Sequence, residues 1–73
     1  MADVRNRFGK RLRYIRRMRD LTQQQLADEI GVTMEFISLM ERGRHGASFE
    51  VLGKLAEALE VDVSEFFTPP EKK

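Results

Sequence analysis

The stretch LTQQQLADEIGVTMEFISLMERG, residues 21–43, decides the fold. Thr22 is a good helix N-cap, and Gln25 stands three residues on, where it can reach back and complete a capping box. Leu21 before the cap and Leu26 at the fourth helical position form a hydrophobic staple. Leu26, Ala27 and Ile30 share one face, and Gly31 can adopt the left-handed conformation that ends a helix. The chain then restarts at once. Thr33 is the next N-cap, Val32 and Ile37 the next staple, Ile37 and Met40 the inward positions, and Gly43 the stop. Two helices of about eight residues therefore meet at a glycine corner, the geometry of a helix-turn-helix unit. Such corners also occur in many all-α domains with no shared function.

The flanks continue the helical period, and strand-like alternation is absent. Phe8, Leu12 and Ile15 give one buried stripe to a helix spanning about Arg5 to Met18, with arginines on its other faces. Ser48 caps a fourth helix whose stripe is Phe49, Leu52, Leu55, Ala56 and Leu59. Gly53 interrupts that helix, and a small residue there is compatible with close packing. Asp62 and Glu65 have capping-box spacing, with Val61 and Phe66 as staple, and so predict a fifth helix ended by Pro69-Pro70. The expected architecture is all-α, a compact five-helix domain over residues 1–68 followed by a tail, 69–73.

With 73 residues there is room for one domain and none for a separate ligand-sensing one. The absence of cysteine removes disulfides and thiolate metal sites and is compatible with a reducing cytoplasm. No apolar run reaches the roughly 18 residues of a membrane span, and no signal-peptide core follows Met1. These features predict a cytoplasmic protein without a membrane partner. Net charge is +1, but residues 1–20 carry +6 while 21–47 and 48–73 carry −2 and −3. That asymmetry fits a polyanion faced from one side and equally fits an ordinary solvated helix face. Enzyme chemistry has no support: there is no phosphate-cradling glycine loop, no Cys–His pair and no ligand cluster. His45, the only histidine, has no partner for a metal. No cofactor is expected.

Leu21 to Ala27, Ile30 to Thr33, Ile37-Ser38 and Glu41-Arg42-Gly43, extended by Ser48 to Leu52 and Leu55 to Val61, resemble the phage-repressor and Cro-like helix-turn-helix family of transcriptional regulators. The likeness covers Phe8 to Phe67. It implies a lambda-repressor-like fold with residues 34–42 as recognition helix and double-stranded DNA as partner. It implies that Gln23 bonds a backbone phosphate and that Arg16 and Glu41 form a partly buried pair. It places base reading on Thr33, Met34, Glu35, Ser38 and Leu39. Phe36, Arg42, Arg44 and His45 would lie along the sugar-phosphate wall, and Arg11, Arg13 and Arg17 would add diffuse attraction. Dimerisation through the C-terminal Phe66 and Phe67 is also implied, one of the two adjacent rings closing the core and the other left for the partner, with half-sites about 34 Å apart.

This chain departs from the family on the reading face, where Arg, Gln, Asn or Lys are usual. Met34 and Leu39 offer apolar contact only, and Glu35 can accept from cytosine but repels phosphate. Met34, Phe36 and Leu39 form an apolar strip that could read thymine methyls or bind a protein. The size suits a restriction–modification controller or a small phage or plasmid regulator, and equally the N-terminal domain of a longer repressor.

Overall fold

The chain enters its first helix through Asp3, whose carboxylate accepts a hydrogen bond from the Arg5 amide at 3.0 Å. The computed structural model describes residues 3–68, so the Pro69-Pro70 stop and the 69–73 tail lie outside the described residues. Four α-helices follow in order: α1 Val4–Met18, α2 Gln23–Ile30, α3 Met34–Glu41 and α4 Phe49–Leu59. The last three begin at the cap residues expected from the sequence, Thr22, Thr33 and Ser48.

The fifth element differs from expectation. Val63–Phe67 is a short 3-10 helix. Asp62 accepts from the Ser64 amide at 3.0 Å, two residues on, so it makes a tight turn in place of an α-helical cap. Glu65 completes no box and instead accepts from Arg11 at 3.1 Å through its carboxylate. Hydrogen bonding from Ser64, the side chain first and the backbone amide second, holds the Asp62 carboxyl below its ordinary value. The support this gives the turn is present at neutral pH and fades as pH falls through the lowered value.

One core serves all five elements. Leu12, Leu26, Ile37, Met40, Leu55, Leu59 and Phe66 are fully enclosed, so every helix and the 3-10 turn contribute to it. Each such side chain stabilises the fold by about 1.5–3 kcal/mol through loss of apolar contact with water. Phe8 is part of this core and meets Phe66 edge to face, 5.6 Å between centroids. Phe49, expected on the buried stripe of α4, is instead 91% exposed. It is the first helical residue after the Ser48 cap, and the inward stripe begins one turn later at Leu52, with Val51 half-buried beside it.

Two glycines act oppositely. Gly9 lies in the middle of α1, and a Cβ there would come within 2.3 Å of the Met40 carbonyl oxygen and 2.7 Å of that of Glu41. The backbones of α1 and α3 thus meet directly. Gly53 is exposed on α4, and a Cβ built there meets nothing within 4 Å. It serves no close packing. Gly53→Ala should therefore stabilise the domain by up to about 1 kcal/mol, raising Tm by roughly 4–8 °C in a thermal melt. No helix among the described residues is long and apolar enough to cross a membrane.

Candidate nucleic-acid interface

The corner between α2 and α3 is built by local chemistry. Thr22 Oγ1 accepts from the Gln25 amide at 3.0 Å, and Gln25 Oε1 accepts from the Thr22 amide at 2.8 Å. Gly31 has φ of 78°, which reverses the chain at the end of α2 while Val32 donates back to the Ala27 carbonyl at 3.0 Å. Thr33 then accepts from the Phe36 amide at 3.1 Å and opens α3. Ile37 and Met40 are fully buried, which directs the opposite side of α3 outward. Thr33, Met34, Glu35 and Arg42 are exposed, and Ser38, Leu39 and Phe36 are half-buried.

The C-terminal end of α3 is held by a buried charge network. Arg16 donates to Glu41 through Nε at 2.6 Å and Nη2 at 3.0 Å, and through Nη1 to the Leu21 carbonyl at 2.8 Å. Gln23 Nε2 adds a donor to Glu41 Oε1 at 3.1 Å. Arg16 and Glu41 are 7% and 8% exposed, so both charges are desolvated, yet no buried side-chain polar atom among the described residues lacks a partner. A bidentate arginine–carboxylate pair of this kind specifies orientation more than it adds stability, because desolvation offsets most of the attraction.

Several site residues sit otherwise than the sequence suggested. Gln23 turns its carboxamide inward to Glu41, which occupies one of its two N–H donors and leaves the other. Phe36 packs against the core and meets the His45 ring edge-on at 4.8 Å, which withdraws it from the apolar strip. His45 is itself tied down, its Nδ1–H donating to the Gly46 carbonyl at 2.6 Å. Arg42 and Arg44 are exposed and make no ion pair among the described residues. Phe66 is wholly inside the core and is the ring of the Phe66-Phe67 pair that closes it, which removes Phe66 from the expected dimer contacts. Phe67 stacks on Phe8 at 6.0 Å and remains 42% exposed.

Sequence reasoning missed three further contacts. Arg11, expected as a diffuse attractor, donates to the carbonyl and carboxylate of Glu65 at 2.9 and 3.1 Å and so anchors the 3-10 turn. Arg19 likewise reaches the Glu60 carbonyl at 3.1 Å. Gly9 admits α3, and its only signal was an unexplained glycine inside a helical pattern. An open groove between the end of α2 and α4 presents Asp28, Glu29 and Glu57 against Lys54, the wrong sign for a polyanion.

A short helix braced against the body at its C-terminal end, its other side open to solvent, defines the class: a helix-turn-helix domain. The helix-turn-helix family pattern matches residues 12–66, and the chain belongs to that family. It is 32% identical over 74 residues to the control protein C.MunI of a Mycoplasma species, covering 100% of both chains. It is 38% identical over 72 residues to the transcriptional regulator PuuR of Escherichia coli, matching 99% of this chain but spanning only 39% of that protein. Among solved structures it superposes on the restriction-modification controller C.AhdI of Aeromonas hydrophila with TM-score 0.83 at 35% identity, covering 86% of this chain and 96% of that one.

Proposed function

We propose that this chain is a sequence-specific double-stranded DNA-binding transcriptional regulator that inserts α3 into the major groove. The observation that carries this is the one-sided clamping of α3. Arg16, Gln23 and the core hold its inner face, while Thr33, Met34 and Glu35 are presented to solvent. Those three, with Ser38 and Leu39, face the bases. Met34 offers its thioether end to thymine methyls, and Glu35 selects a cytosine amino group. Gln23 uses its remaining N–H on a phosphate at the start of α2, where unpaired amides and the helix dipole favour an anion. Arg42, Arg44 and the Phe36–His45 pair border the sugar-phosphate wall.

Two copies act on a two-fold site, with Phe67 as the apolar contact at the C-terminal turn. The alternative use of α3 as a protein-binding strip has less support. With Phe36 folded back onto His45, Met34 is the only large exposed apolar side chain that α3 presents.

Selection of bound duplexes from a random pool tests the proposal. It should enrich a two-fold related site whose half-sites lie about 34 Å apart, with affinity falling steeply as salt rises. No enrichment, together with no affinity for any duplex at low salt, would overturn it.

A further inference from the structure

We propose that Lys10, Arg13 and Arg17 form a second DNA-holding surface, a row of cations on α1 that grips the duplex backbone alongside α3. The proposal rests on the function inferred above and extends its footprint beyond the helix-turn-helix corner.

Of the eight basic residues in the first twenty, four have a carboxylate partner within the chain. Arg16 holds Glu41, Arg11 holds Glu65, Arg19 holds Glu60, and Arg5 lies 4.0 Å from Asp3. Arg7, Lys10, Arg13 and Arg17 are exposed and have no carboxylate partner among the described residues. Helical spacing divides these four. Lys10 and Arg17 stand three residues before and four after Arg13, so the three make one continuous row. Arg7, three before Lys10, adjoins that end of the row but is the one of the four turned furthest from Gly9 and Arg16, on the side of α1 it shares with the exposed Val4 and Tyr14.

The row's position is fixed by what borders it. Gly9 and Arg16 are four before and three after Arg13, and both touch the end of α3. Asn6, four before Lys10, lies so close to Gly43 that a Cβ there would overlap its side-chain oxygen. Along its length, therefore, the row runs beside residues that seat the C-terminal end of α3. Exposed Arg42 lies at that same end. Three uncompensated cations there meet the complementary charge in a phosphate strand flanking the groove that α3 occupies. The acidic groove between α2 and α4 could not serve the same end.

The test compares the salt dependence of affinity for the pool-selected duplex in the intact chain, in the triple variant Lys10→Gln/Arg13→Gln/Arg17→Gln, and in Arg7→Gln. Each phosphate contact contributes about 0.9 to the slope of log affinity against log salt. The triple variant should flatten that slope by up to about 2.7 while selecting the same sequence, and Arg7→Gln should leave it unchanged. Arg13→Lys/Arg17→Lys should retain the slope, and superimposable thermal melts would show that all variants are folded. An unchanged slope in the triple variant of a chain that binds duplex overturns this proposal alone. Flattening of about 0.9 by Arg7→Gln, as much per charge removed as in the triple variant, overturns it in favour of net charge. If the intact chain binds no duplex, the proposed function falls and this extension with it.

Discussion

Gly9→Ala is expected to destabilise the domain by about 3 kcal/mol, the upper end of what an inserted methyl ordinarily costs in a packed site. The reason is the identity of the obstacle. The new Cβ would meet main-chain atoms of Met40 and Glu41 at 2.3 to 2.9 Å, and backbone carbonyls cannot rotate aside as a side chain can. Either α1 and α3 separate or α3 tilts. Both outcomes displace Glu41 from Arg16 and spoil the presentation of Thr33, Met34 and Glu35. Urea denaturation should show the midpoint falling sharply, and duplex affinity should fall beyond the loss explained by unfolding. A variant with native stability would show that the helices are not in backbone contact.

Glu41→Ala is expected to cost about 3–5 kcal/mol, because it strands the Arg16 guanidinium in a desolvated site. A domain of this size has a total stability on the order of 5 kcal/mol, so the variant should be largely unfolded at ambient temperature. The informative companion is Arg16→Met/Glu41→Leu, which removes both charges and keeps much of the volume. Replacement of a whole buried pair is often neutral or stabilising, so circular dichroism should show a folded domain again. Affinity for the selected duplex should nevertheless remain depressed, since the bidentate bond and the Gln23 contact that orient α3 are gone. A double variant that binds as tightly as the intact chain would contradict an orienting role for the pair.

What could be read from the chain beforehand was what depends on neighbours in sequence. The Thr22–Gln25 capping box, Gly31 as a left-handed stop and Thr33 as the next cap are decided within a few residues, and all three are present. The inward sides of α1, α2 and α3 followed from periodicity for the same reason. Failures came where a distant partner decided the matter. Asp62 and Glu65 have the spacing of a capping box, but Arg11, distant in sequence, takes Glu65. The ends of α1 at Met18 and α4 at Leu59 fall where the apolar stripes stop, although the left-handed turns after them, at Asp20 and Glu60 with φ of 59° and 60°, have no glycine to announce them.

At the site, the Arg16–Glu41 pair was legible only through family resemblance, and the Gln23 bond to Glu41 was not legible at all. The residues concerned are separated by 18 to 25 positions, so only the fold brings them together. Phe49, expected on the buried stripe of α4, is exposed for a geometric reason. A periodic pattern shows which side of a helix faces inward, but it does not show at which turn the core begins.

The most direct measurement follows backbone amide resonances while the pool-selected duplex is titrated into the intact chain. The largest displacements should fall on Thr33, Met34, Glu35 and Ser38, with Asp28, Glu29 and Glu57 in the acidic groove unmoved. Saturable binding that shifts the groove or the Phe67 region and leaves those four amides in place would contradict insertion of α3 into DNA.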